Sequence, residues 1–100
     1  MGERLAWTIE RLRAHEGRLR GFGVAHAAVF GSVARGDDRA DSDVDVLIEL
    51  DRDRAMGIFD YARVKLYINE ILEGSGDVVN RRMLKPMLRE NILRDAVNVF

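Results

Sequence analysis

Along the first twenty residues the apolar positions fall at helical intervals. Leu5, Ile9, Leu12 and Leu19 share one stripe, Trp7 lies beside it, and charged residues take most other places. That repeat predicts an amphipathic helix over residues 3–19, ended by Gly21-Phe22-Gly23. The spacing then closes into a short apolar run, Val24 to Phe30, with His26 near its start, of the length expected for a buried strand. A second run, Val44 to Leu50, reads the same way, with Asp51 to Asp53 as the turn after it. Helical spacing returns from Arg54 to Glu73, where Ile58, Tyr61, Ala62, Lys65, Ile68, Ile71 and Leu72 recur on one broad face. Lys65 interrupts that face and can snorkel to its edge. Phe59, Leu66 and Tyr67 widen it, mostly as core and in part as surface for a partner. Gly74-Ser75-Gly76 stops this helix. Asp77 to Asn80 then has room only for a small strand, and Arg81 to Leu84 for one helical turn. Pro86 suits the first turn of a last helix, whose inward face would be Leu88, Ile92, Ala96 and Phe100. The expected fold class is α/β (α+β), a small β-sheet covered by helices on one face.

Bulk properties narrow the function. The 100 residues are expected to form a single domain spanning 1–100, with one modest core. The chain is 47% hydrophobic and 33% charged, an ordinary globular balance. A net charge of −1 does not favour a general electrostatic grip on nucleic acid, so no direct nucleic-acid partner is expected. Of the 16 basic residues all but Lys65 and Lys85 are arginine, a bias more readily ascribed to host composition than to phosphate binding. Cysteine is absent, which excludes disulfides and thiolate metal sites and fits a cytoplasmic location. There is no apolar run of membrane-spanning length and no signal-peptide pattern at Met1-Gly2-Glu3-Arg4, so no membrane association is expected. His15 and His26 are too few for an imidazole-based metal site.

Candidate chemistry concentrates between the two long strands. Asp43 and Asp45 stand at the start of an otherwise apolar run. Positions i and i+2 of a strand share a face, roughly 6.5–7 Å apart along the backbone. Two acids so placed repel unless something positive lies between them. Mg²⁺ is the natural candidate, since it is held by one or two carboxylates together with substrate phosphates. The preceding strand ends in Gly31-Ser32, whose backbone N–H and hydroxyl suit an anion such as phosphate. Arg35 follows closely enough to counter phosphate charge. A calcium loop is excluded, because counting from Asp41 its sixth and twelfth positions hold Val46 and Arg52 where glycine and glutamate are needed. Asp37, Asp38 and Arg39 read as a solvated connector, with Asp41 or Ser42 making a local side-chain turn. Asp77 follows glycine, a common place for a turn aspartate.

Gly31-Ser32, ten intervening residues, then Asp43-Val44-Asp45 together resemble the GS-x10-D-x-D signature of the DNA polymerase β-like nucleotidyltransferase superfamily. Arg35-Gly36 and Ser42 also fall where that pattern has them. Within the superfamily the likeness is greatest to the minimal nucleotidyltransferases (MNT), and it extends over about residues 22–100. These are proteins of about this size, often encoded beside a HEPN-domain toxin that they neutralise. The resemblance implies a mixed sheet and Mg²⁺-dependent transfer of AMP from ATP, with two metal ions. It implies Asp43, Asp45 and Asp77 as catalytic metal ligands, and Gly31, Ser32 and Arg35 at the nucleotide. The implied acceptor is a hydroxyl, that of a tyrosine, on a HEPN toxin partner, and the chain's shortness agrees with an acceptor brought by another protein or a second subunit. Two alternatives stand beside it: a non-catalytic antitoxin acting by complex formation, and a stand-alone transferase for a small molecule.

Overall fold

The computed structural model describes residues 2–100. The elements run α1 (Glu3–Ala14), α2 (Glu16–Gly21), β1 (Val24–Phe30), α3 (Gly31–Arg35), β2 (Val44–Leu50), α4 (Ile58–Ile71), β3 (Gly76–Asn80), a 3-10 turn (Arg81–Met83), α5 (Pro86–Asp95) and β4 (Val97–Asn98). The four strands form one mixed sheet in the order β3-β2-β1-β4. β1 is antiparallel to β2 and to β4, whereas β2 and β3 are parallel. A parallel pair cannot be closed by a tight turn, and α4 supplies the crossover.

Alternation along β2 decides the layers. Val44, Val46 and Ile48 point to one face and are fully buried with Leu12, Leu19, Val64, Ile68 and Leu72 from the helices. Burying side chains of this size contributes about 1.5–3 kcal/mol each. Two arginines tie α1 across this layer: Arg11 Nε donates to the Ile71 carbonyl at 3.0 Å, and Arg13 Nε to the Val99 carbonyl at 2.9 Å. The opposite face carries Asp45, Leu47 and Glu49. There a smaller cluster of Phe30, Leu47 and Leu84 forms, with Ile92 and Ala96 packed against it. Helical cover is therefore present on both faces of the sheet, where the sequence predicts one. No helix among the described residues is long and apolar enough to cross a membrane.

Both long strands have the predicted bounds, and the helices deviate in instructive ways. The helix predicted over 3–19 is broken at His15, whose φ/ψ of −108°/13° separates α1 from α2. α4 starts at Ile58 rather than Arg54, because Asp60 Oδ2 accepts the Gly57 N–H at 2.8 Å and closes its first turn. Its buried stripe is Val64, Ile68 and Ile71, whereas Ile58 is 78% exposed. The last helix ends at Asp95, and the chain then pairs with β1. Phe100 is thus not on that helix; its carbonyl accepts the Ala27 N–H at 3.2 Å. Leu88, expected to face inward, is 48% exposed.

Candidate active site

β1 ends against the start of the motif, and the sheet register sets the acids. Phe30 is opposite Asp45 across the antiparallel pair, and Asp77 is level with Asp45 across the parallel pair. Side chains level with each other on adjacent strands share a face. Asp45 is thus held between the turn after β1 and the first residues of β3. The start of β3 is itself anchored. Val44 donates its N–H to the Ser75 carbonyl at 2.7 Å, and Asn69 Oδ1 of α4 accepts the Gly76 N–H at 3.0 Å.

Gly31 makes a contact that no other residue could. Its φ is +75°, in the left-handed region, and a Cβ placed on it would collide with Asp45 Oδ2. Gly36, at φ +83°, ends α3 by donating its N–H to the Ser32 carbonyl at 2.9 Å. In the loop that follows, Ser42 Oγ accepts the Arg39 N–H at 2.9 Å, the local turn expected there. Asp38 is not merely solvated; it lies 3.5 Å from Arg4 of α1.

A cleft of about 430 Å³ opens at this point, lined by Gly31, Ser32, Arg35 and Asp45 from the motif and by Asn91 and Asp95 from α5. Asp77 opens instead onto an adjoining concavity of about 280 Å³ that it shares with Lys65. Asp43 stands exposed immediately before β2. A larger concavity, about 680 Å³, lies elsewhere, between α2 and α4, and none of the motif residues lines it. The smaller cleft is the one in which the Gly31-Ser32 turn and Arg35 lie beside the Asp45 carboxylate.

Asp45 is the electrostatic centre. Burial raises its pKa above the ordinary 3.8, and the charges of Asp77 and Asp43 and a hydrogen bond with Asp77 raise it further, while Arg35 acts in the opposite direction. Among the described residues no three acidic or imidazole side chains are drawn together as a metal cage. The donor set nevertheless fits a hard divalent cation: it is all carboxylate oxygen, and a cation there would relieve the repulsion that burdens Asp45. Arg35 is held by two acids, Asp95 at 2.8 Å and Asp37 at 3.2 Å, and both raise its pKa, Asp95 the more. Sequence reasoning missed Asp95 and Asn91, since nothing local links α5 to a motif some 60 residues earlier. Tyr61 of α4 holds its phenolic proton more tightly than a free tyrosine, chiefly through burial and partly through Asp77.

The Asp45 shift has a consequence for stability. A carboxyl whose folded pKa is raised stabilises the fold while protonated and loses that contribution as pH rises through its folded value. Ionised Asp45 therefore burdens the metal-free protein at neutral pH. Asp45→Asn should raise the melting temperature at pH 7 in EDTA, with the gain shrinking as pH falls through the raised folded pKa of Asp45 and gone by about 3.8, its ordinary value. Thermal melts from pH 3 to 7 check this; an equal or lower melting temperature at pH 7 would contradict it.

Compared with known proteins, residues 9–99 match the nucleotidyltransferase domain family. The chain belongs to that family. This nucleotidyltransferase is 35% identical over 89 residues to the protein adenylyltransferase MntA of Thermococcus cleftensis, covering 88% of each chain. A solved structure named as a candidate minimal nucleotidyltransferase superposes with a TM-score of 0.68 at 40% identity, over 89% of this chain and 93% of that one. A chain from the complex of tri-AMPylated Shewanella oneidensis HEPN toxin with MNT antitoxin has the same fold, with a TM-score of 0.63 at 13% identity, over 92% of this chain and 71% of that one.

Proposed function

We propose that this nucleotidyltransferase moves AMP from ATP to a hydroxyl, that of a tyrosine, on a partner HEPN toxin and so acts as its antitoxin. The observation that carries the reading is the register that sets Asp45 level with Asp77, beside the Gly31-Ser32 turn. The 35% identity to a protein adenylyltransferase supports the group transferred. The AMP-modified HEPN toxin found with an MNT antitoxin supports the class of acceptor.

In the reaction the acceptor hydroxyl gives up its proton to solvent as its oxygen attacks the α-phosphorus, the bond from that phosphorus to the bridging oxygen breaks, and pyrophosphate leaves. Asp43, Asp45 and Asp77 would hold Mg²⁺, two ions by the family resemblance, which would supply positive charge against the charge on the entering and leaving oxygens. The Gly31 N–H and Ser32 hydroxyl would take the β- and γ-phosphates, and Arg35 would offset their charge. Asp77, on the exposed side of the pair, would face the entering hydroxyl. Positioning and charge stabilisation do most of the work in such transfers.

The test is transfer of label from ATP carrying it on the α-phosphate to a purified HEPN-domain protein from the same genome. Label on the partner, abolished by EDTA, is the expected result. A second reading, neutralisation by complex formation alone, draws on Phe59 and Leu66 of α4, which are 86% and 72% exposed and suit burial by a partner. A tight complex that silences the toxin with no label transferred would favour it.

A further inference from the structure

Asp95 is the last residue of α5, a place where the helix dipole disfavours an acid. It is not idle there. Its Oδ2 accepts a hydrogen bond from Arg35 Nη1 at 2.8 Å, bridging 60 residues of sequence, while Asp37 Oδ2 accepts from Arg35 Nε at 3.2 Å. The two side chains of the longer link are 46% and 27% exposed. A surface pair of that kind contributes little to stability, so holding the fold together is a weak reason for it. α5 itself buries no residue fully. What the pair does is geometric. A guanidinium has five N–H donors in a fixed plane. With Nε and one hydrogen of Nη1 engaged, Nη2 and the second Nη1 hydrogen stay free on a group whose plane is now set. That group lines the same cleft as Gly31 and Ser32.

We propose that Asp95 is a positioning residue for Arg35, holding its guanidinium so that the free N–H groups face the triphosphate of a nucleotide seated on Gly31-Ser32. The inference rests on the nucleotidyl-transfer reading above and adds a residue outside the motif. Asp37 lies two residues from Arg35 and moves with it, whereas Asp95 belongs to another element. It alone ties the guanidinium to α5, and its loss frees the side chain to turn toward solvent. The same substitution also removes a negative charge from the cleft, so a merely repulsive Asp95 would have the opposite effect on an anionic ligand.

The experiment is a calorimetric titration of the intact chain with Mg²⁺ and an ATP analogue whose α and β phosphates are joined by a methylene. Wild type, Asp95→Asn, Asp95→Glu, Arg35→Met and the Arg35→Met/Asp95→Asn double variant are compared, with melts to show that each is folded. Asp95→Asn and Arg35→Met should each weaken binding by about fivefold. The double variant should be no weaker than Arg35→Met alone, since Asp95 acts only through Arg35. Asp95→Glu should keep most of the affinity. Unchanged or tighter binding by Asp95→Asn, or additive losses in the double variant, would overturn the inference and leave the nucleotidyl-transfer reading intact. Wild type that binds no nucleotide would overturn both.

Discussion

Asp45→Asn is expected to lower AMP transfer about 1,000-fold while leaving the protein folded and, free of metal, more stable. Both halves follow from one set of contacts. Asp45 is partly buried and level with Asp77, and its negative charge is resisted by burial, by Asp77 and by Asp43. An amide of the same shape removes the repulsion and keeps the packing. The same amide cannot supply the anionic oxygen that a hard cation requires. Losing a preorganised electrostatic contact at the reacting phosphate costs about 100- to 1,000-fold, and under the proposed function Asp45, the most central of the three acids, belongs at the top of that range. Asp43→Asn should lose activity comparably with a smaller change in stability, because Asp43 is exposed. The measurement is label transfer under single-turnover conditions with melting curves alongside. If Asp45→Asn kept more than a tenth of wild-type activity, the carboxylate would have no part in the chemistry. A loss of activity with a falling melting temperature would point to damage of the fold instead.

The candidate site stands out in the sequence because its acids work against the fold. Two acids at the head of an apolar strand break the local pattern, and such breaks gather where function overrides stability. β1 and β2 were legible because apolar-rich runs of seven residues bounded by turn residues have few other uses, and their predicted bounds match. Three features were not legible. β4 is only Val97–Asn98; its existence depends on β1 offering a free edge, which no local spacing encodes. α4 is apolar around much of its girth, so periodicity alone favoured Ile58 over Val64 for the buried stripe. The tie between Arg35 and Asp95 joins residues 60 apart and arises only once α5 has packed on the second face of the sheet. Contacts of that range belong to topology, and a one-dimensional pattern does not carry them.

Gly31→Ala should reduce transfer at least about 100-fold while lowering stability by only about 1–2 kcal/mol. The stability cost comes from the backbone: a residue with a Cβ held at φ +75° pays roughly that much for left-handed geometry. The activity cost has another origin. The new methyl group would occupy the place of Asp45 Oδ2, and a carboxylate is the easiest of the neighbours to displace, since it turns about two side-chain bonds. The fold would therefore accommodate the substitution by swinging Asp45 out of line with Asp77. A misplacement of about 1 Å at a reacting centre is enough for losses near 100-fold. Gly36→Ala is the control. Its φ of +83° imposes the same backbone strain, but no atom lies within 4 Å of the added carbon. It should show a similar fall in denaturation midpoint with most of the activity retained. Urea denaturation and label transfer on both variants separate the two costs. Equal activity in the two would mean that the closeness of Gly31 to Asp45 is incidental. Loss confined to Gly31→Ala would make the missing side chain at position 31 part of how Asp45 is aimed.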